Sequence, residues 1–599
     1  MKKIPKITAT PFMLTSVMLS TVILVLIFTV NAMSADPASS LNRKVNKDAP
    51  ALPEYLPETQ DKNFTLPPLP ENRPDVPGAV LFDLKGVTFE GNTVFSEMQL
   101  KEVATPFLNR KVGMADLEEI RYQLTRYYID KGYVNSGALI KPGQKVNNGV
   151  VIYLIIEGKL TDIKMKGNER LRENYIKKRI WSDATIPFNT GKLQDSFQML
   201  LQDPLIDRMD GRIVPGIKPG EAALELDVTR ARPYELSITA DNHSSPNLGS
   251  EKLSLNQTVR NLTGFGDSLN TLLNFTEGIR EIDATYSIPL NANNTLLSLN
   301  YSYSDNDIVA KSLDSIGIES KLESSRISFT HPVYYTLRRN FNIGLSLKSE
   351  ESRTYIMNGT PFSFAQGAED GKSRTTTVQL IQSFSDRTTQ QVLALRSTFS
   401  FGIDMLDPTI HAESVPDGKF TSWLGQAQYG RRIGEKAGQV IFRGDLQFAD
   451  DRLLSMEQFS LGGAQSVRGY RENERIGDNG YLLSLEWRIP VWESQKTGGQ
   501  QKTRLIQIAP FMDYGSAWDK EYFKVEKSQT GDKLIYSKSQ SDNVLHSVGL
   551  GVLWSSPSVD AQIYYGYAIK DRDTDAIDNE DNYNFQDDGI HFSVTYNLL

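Results

Sequence analysis

From about residue 232 to the carboxyl terminus, apolar and polar positions alternate with a period of two. In FNIGLSLKSE, Phe341, Ile343, Leu345 and Leu347 fall on one face, and Asn342, Gly344, Ser346 and Lys348 on the other. DSLNTLLNF, GQVIFRGDLQF, YLLSLEWRI, SVGLGVLW and AQIYYGYAI repeat the pattern. Successive side chains of a strand point to opposite sides, so each segment predicts a strand with one apolar, aromatic face and one small, polar or charged face. A soluble sandwich can produce this alternation, and so can a membrane barrel. Five of the 6 tryptophans and most tyrosines lie in this region, which fits the aromatic girdles and the lipid-out, lumen-in alternation of an outer-membrane barrel.

The last strands let the topology be read. LIQIAPFMDYGSAW is followed by a long polar segment near 519–542, then SVGLGVLW, a short PSV turn, AQIYYGYAI, a second long polar segment at 570–588, and IHFSVTYNLL. In outer-membrane barrels long loops lie outside and short turns lie in the periplasm, so the carboxyl terminus is expected in the periplasm and the strand number is expected to be even. The length from 232 to 599 allows about sixteen antiparallel strands; about fourteen or eighteen would also fit.

Between 79 and 231 the period changes. LFDLKGVTFEGNTVFSEMQLKEVA runs from a strand through a Gly-Asn turn into a helix, and LTDIKMKGNERLRENYIKKRI does the same 76 residues later, matching Gly91 and Asn92 with Gly167 and Asn168, and Leu100 with Ile176. A second helix follows in each. Asp116 with Glu119 resembles a capping box, and Leu117, Ile120, Leu124 and Tyr127 mark an apolar helical face; Phe197, Leu200 and Leu201 fill that place in the second copy. VVIYLIIEG and AALELDVTR close the two copies as strands. The order strand, helix, helix, strand, strand, twice over, predicts tandem small α+β domains over 79–158 and 159–231. A three-stranded sheet of that kind leaves an edge able to accept another chain by strand addition.

At the amino terminus, Lys2, Lys3 and Lys6 precede the apolar run PFMLTSVMLSTVILVLIFTV and then NAMSAD, the order of a secretory signal. Residues 1–35 are read as that signal, with cleavage after Ala32, Ser34 or Ala35. An uncleaved anchor is the alternative, because the run is nearly long enough to span a bilayer. Residues 36–78 hold nine of the 27 prolines and no glycine before Gly78, which predicts an extended, semi-rigid linker, or the place of a plug segment.

Composition then removes whole classes of chemistry. With no cysteine there is no disulfide, thiol catalyst or thiolate metal site, and His243, His331, His411, His546 and His591 are scattered singly. A net charge of -8 with no basic tail argues against nucleic acid. GAEDGKS at 367–373 is one residue short of a P-loop between its glycines, and no G-x-S-x-G occurs. DRDTDAIDNEDN at 571–582 reads as a solvated outer loop rather than a calcium site. No enzymatic activity, no cofactor and no metal are expected.

One segment stands out against the strands around it. SVRGYRENE lies inside a run, 451–479, with no clear strand or helix pattern, and loops of that length in a compact domain are usually functional. One strand beyond the following one, the alternation of LIQIAPFMDYGSAW puts Ile506, Ile508, Met512 and Tyr514 toward lipid, and Gln507, Asp513 and Gly515 toward the lumen. Two readings stand. Either the loop is exposed and its arginine ordinary, or it folds inward so that Arg468 meets Asp513 in a charge-assisted contact, with Gly469 turning the tip and Val467 and Tyr470 packing on the wall.

Two tandem units before a barrel, the VRGY loop and the later F-x-D-x-G strand (Phe511, Asp513, Gly515) resemble the outer-membrane transporters of two-partner secretion, the haemolysin or haemagglutinin secretion/activation family. DNHSSPNLG and NLTGFGD near the barrel start are also similar to that family. The resemblance covers about 79–599 and implies a transmembrane β-barrel of about sixteen strands (232–599) behind two periplasmic POTRA domains. It also implies a lumen loop built on Val467, Arg468, Gly469 and Tyr470, whose arginine contacts Asp513. The implied partners are a large secreted exoprotein with an amino-terminal secretion domain (haemolysin, adhesin or contact-dependent toxin type), the lipid bilayer, and the barrel-assembly machinery for insertion; a monomer is expected. A barrel-assembly factor of the same superfamily and a passive porin or receptor are the rival readings. Two departures are visible: 36–78 is too proline-rich for a clear plug helix, and the chain given ends in Leu599 rather than an aromatic residue.

Overall fold

The computed structural model describes residues 49–57, 64–65 and 81–598, apart from 147, 185–186, 358, 413–414, 435–436, 495–503, 521, 527–532, 538–543 and 570–582. The signal reading of 1–35, most of the 36–78 segment and the Asp-rich stretch 571–582 therefore lie outside the described residues.

Each of the two small units owns its core. In the first, Gly86–Glu90 runs parallel to Val150–Ile156, which pairs antiparallel with Gly137–Ile140. Helices Glu97–Ala104 and Met114–Asp130 cover the sheet, burying Leu100, Leu117, Ile120, Leu124 and Tyr128. Tyr128 rather than Tyr127 is the fully buried ring, because the stripe steps by four residues at that turn. The capping box differs from the expectation as well. Asp116 lies inside the helix and its carboxylate accepts from the Gly113 amide at 2.9 Å, while the reciprocal box is made by Ser96 and Gln99 on the preceding helix. In the second unit, Lys159–Lys166 is parallel to Glu221–Arg230, which pairs antiparallel with Ile206–Pro215. Helices Glu173–Ala184 and Thr190–Leu200 cover it.

The repeat extends to atomic detail. Gly91 and Gly167 both turn at positive φ (91° and 77°) with a carbonyl of the closing strand, Ile155 or Val228, where a Cβ would sit. Only glycine fits such a turn without strain. Asn92 and Asn168 then each donate to the carbonyl three residues on, at 2.9 and 2.7 Å, which fixes the entry into the helix in both copies.

Behind these units a 16-strand antiparallel barrel closes on itself, the first strand (Tyr234–Asp241) pairing with both the second (Lys252–Arg260) and the last (Ile590–Asn597). Its alternation is the one read from the sequence. On the seventh strand (Arg339–Ile356), Leu345 is 56% exposed, whereas its neighbours Ser346 and Lys348 are 1% and 6% exposed. An outer wall of bare Leu, Ile, Phe and Tyr would be an aggregation surface in water. In lipid it is the solvated face, and closure leaves no strand edge unpaired in the hydrocarbon.

The second unit seats on the periplasmic turns. The Arg172 amide donates to the Gly264 carbonyl (3.2 Å), the Arg172 guanidinium lies 3.7 Å from the Phe265 ring centre, and Arg179 bonds the side-chain oxygen of Asn294. NLTGFGD (261–267) is thus the turn that receives this unit. The described part of the linker reaches the same end. The Leu56 amide donates to Thr388 O at 3.1 Å, the Tyr55 hydroxyl to Gln439 at 3.1 Å, and Arg432 lies over the Tyr55 ring. Phe64–Thr65 adds as a parallel strand to Ile206–Pro215 opposite Gly211 and Arg212.

Candidate functional site

The sixth outer loop, between the eleventh strand (Gln439–Ala449) and the twelfth (Asn479–Glu493), folds into the lumen. It has structure of its own where the sequence pattern shows none: a 3-10 turn at Ser455–Glu457, and the strands Phe459–Leu461 and Arg475–Gly477, which pair with each other. Three-residue strands are too short for periodicity to reveal. The outer segment near 519–542 likewise contains a hairpin, Tyr522–Glu526 with Lys533–Ser537.

At the tip, the structure brings Arg468 to Asp513 on the thirteenth strand (Leu505–Trp518). Nε donates to Oδ2 at 2.8 Å and Nη2 to Oδ1 at 2.9 Å, a two-pronged contact, and the Arg468 backbone amide adds a third bond to Oδ2 at 3.0 Å. Nη1 donates to Glu486 on the twelfth strand, and Nη2 reaches Ser484 Oγ at 3.3 Å. The guanidinium lies 3.6 Å from the centre of the Phe511 ring and 4.8 Å from that of Tyr564. Asp513 is 0% and Arg468 6% exposed, so the charges are satisfied by each other rather than by water.

The neighbouring motif residues shape the seat. Val467 and Tyr470 are buried with Phe459, Leu461, Leu482 and Leu545, and the Tyr470 hydroxyl donates to the His546 carbonyl at 3.1 Å. Gly469 has φ 95° and lies against the backbone of Gly566, where a Cβ would come within 2.7 Å of the carbonyl oxygen. Gly515 gives room to Leu461 in the same way. Phe511 faces inward beneath the guanidinium, on the same side as Asp513.

Several partners were not legible in the sequence. Glu486, held also by Arg488 at 2.6 Å and by the Tyr564 hydroxyl at 3.3 Å, is the second carboxylate of the arginine site. Its inward position follows from the alternation of YLLSLEWRI, which was the available signal. His591, one of the scattered histidines, accepts from the Gly469 amide at 3.2 Å. Glu457 anchors the base of the loop across the lumen to Lys348 at 2.7 Å and to Thr375 at 3.2 Å. Among the described residues no group of three His, Asp or Glu side chains is arranged to hold a metal ion. The arrangement is a polar lumen crossed by a loop pinned to its walls by buried charge.

Comparison with known proteins gives a consistent result. The profile of the family described as haemolysin secretion/activation protein ShlB/FhaC/HecB matches residues 220–534, and that of the ShlB-type POTRA domain matches 82–158. Similar relatives include the outer membrane transporter CdiB of Dickeya dadantii, 22% identical with 68% of this chain and 74% of that protein covered. The heme/hemopexin transporter protein HuxB of Haemophilus influenzae is 22% identical, with 76% and 77% covered. Among solved structures, CdiB from Escherichia coli has a TM-score of 0.61 at 18% identity over 88% of this chain and 93% of that one. BamA from Haemophilus ducreyi, lacking POTRA domains 1-3, has a TM-score of 0.50 at 13% identity over 86% of this chain and 100% of that one.

Proposed function

Because this chain belongs to the haemolysin secretion/activation family of two-partner secretion transporters, with its barrel in the outer membrane and its POTRA region in the periplasm, we propose that it exports one large partner protein to the cell surface. The partner is of the haemolysin, adhesin or contact-dependent toxin type and enters unfolded. The observation that carries this reading is the polar lumen closed by a loop held at Arg468, with two strand-edged units at its periplasmic mouth.

The units capture the extended amino-terminal segment of the partner by strand addition, which supplies main-chain hydrogen bonds without demanding a sequence. In the first unit Gly137–Ile140 is an edge strand; in the second, the edge at Ile206–Pro215 is met in part by residues 64–65 of the chain itself. The VRGY loop is the movable obstruction, and its release from Asp513 and Glu486 clears the path. Folding of the partner outside makes passage one-way. Domain limits of 79–158, 159–231 and 232–599 serve this division of labour.

Deleting the gene tests the reading: one surface or secreted protein should vanish while other outer-membrane barrels assemble normally. The fold likeness to BamA supports a second reading, insertion of membrane proteins. Loss of many barrels on deletion would establish that reading and overturn the first.

A further inference from the structure

Among the described residues, the closing pair has the shortest register of any two neighbours of the sixteen wall strands. The first and last strands share a register from Ser237 with Asn597 to Asp241 with Ser593, five pairs, whereas the first and second strands share eight. Above the last pair the Asn242 backbone amide still donates to Phe592 O at 3.3 Å, and its side chain adds two bonds: Nδ2 donates to Ile590 O at 2.9 Å, and Oδ1 accepts from the Phe592 amide at 2.8 Å. The Asn242 carbonyl in turn accepts from Gln586 Nε2 at 2.6 Å, and the Oε1 of that same glutamine accepts from the Glu472 amide at 2.9 Å. One fully buried amide therefore joins the first strand's end, the last outer loop and the inward sixth loop.

Beside it, Arg471 grips Asp587 through two bonds, Nε to Oδ1 at 2.5 Å and Nη2 to Oδ2 at 2.8 Å. Both residues are buried, and Asp587 is further fixed by the Asn584 amide at 2.9 Å. Its carboxylate is a different one from Asp513 and Glu486, which hold Arg468. It fastens the other side of the loop tip, and it fastens it to the seam rather than to the middle of a wall.

We propose that Arg471, Glu472, Gln586 and Asp587 form a second latch, which ties the inward loop to the closing seam so that seam integrity depends on where the loop sits. A pairing of five residues has few backbone bonds to hold it, and the latch adds a bidentate ion pair and an amide bridge at its outer end. When the loop leaves the lumen, the Arg471–Asp587 pair and the Glu472–Gln586 bond go with it, the Gln586–Asn242 bridge loses that support, and the first and last strands separate more readily from the outer end. Arg471 and Asp587 are positioning residues; they need not touch the exported chain. The inference rests on the reading of this loop as the movable obstruction.

The absence of cysteine makes the test clean. Thr239 and Thr595 face each other across the seam with hydroxyls 2.8 Å apart, so Thr239→Cys with Thr595→Cys places a reversible lock there. In the full-length protein in outer-membrane vesicles, Asp587→Asn and Arg471→Lys should lower the temperature at which the barrel loses its compact migration; lysine keeps the charge but not the fork. Oxidising the cysteine pair should restore the transition, and reducing it should abolish the restoration. If Asp587→Asn does not assemble, assembly rescued by the oxidised pair is the same result. An unchanged transition, or a lowered one that the seam lock does not restore, overturns the latch. Failure of the transport reading shows separately, as normal secretion by Arg468→Ala, and does not depend on the seam measurement.

Discussion

Replacing Arg468 by alanine should free the loop tip without dismantling the barrel. The variant loses the Nε and Nη2 bonds to Asp513, the bond to Glu486 and the stacking on Phe511, but keeps the backbone amide bond to Asp513 at 3.0 Å. Asp513 retains Ser484 at 2.6 Å, and Glu486 retains Arg488 at 2.6 Å, so neither carboxylate is wholly abandoned. Removing one partner of a buried pair costs about 3 to 5 kcal/mol. With these remaining partners the lower end applies, roughly 3 kcal/mol, which shifts the ratio of seated to released loop about a hundredfold.

Trypsin added to intact cells reads that ratio, because Arg471 and Arg475 lie in the loop and cleavage of a transiently opened segment follows its open population. Cleavage should accelerate about a hundredfold while partner protein in the medium falls sharply and heat-modifiable migration persists. Asp513→Ala should behave alike, and the double variant should be little worse than either, since residues sharing one contact are not additive. Unchanged cleavage and secretion in both single variants, or defects that simply add, would refute this account of the loop.

Gly469→Ala should also unseat the tip, by about 1 to 3 kcal/mol of backbone strain before the contact with Gly566 is counted, and protease sensitivity checks it. Residues 79–231 alone should fold and bind the amino-terminal part of the partner with affinity in the roughly micromolar range; a fragment extended to include 64–65 should bind roughly tenfold more weakly, because its own strand meets the edge at Gly211. Burial raises the Glu157 carboxyl, but bonds from Thr93, Val94 and Tyr128 outweigh it and hold the group below its usual range. Its contribution to folding is therefore present at neutral pH and is lost as pH falls below about 4.3 through the lowered folded value. Glu157→Gln should cost about 1 kcal/mol at neutral pH, allowing for solvent screening, and should flatten the acid limb of a denaturation series on the 79–231 fragment.

The sequence by itself determined the elements. Period-two alternation placed Leu345 outward and Lys348 inward, and it assigned Asp513 to the lumen, because the pleat of a strand is a local property that neighbouring residues settle. The Gly-Asn turns of the two units were equally legible, since a positive φ and a side-chain bond three residues on are written within four positions. What only the tertiary structure decided is which inward residues meet. Alternation gives the face of Glu486 but not its height beside Arg468, and nothing near Arg471 in the chain points to Asp587, 116 residues away. Gln586 reaches the Asn242 carbonyl across 344 residues for one reason: closure of the barrel makes its first and last strands neighbours. Register, shear and the inward fold of one loop set those meetings, and they are properties of the closed sheet rather than of any segment within it.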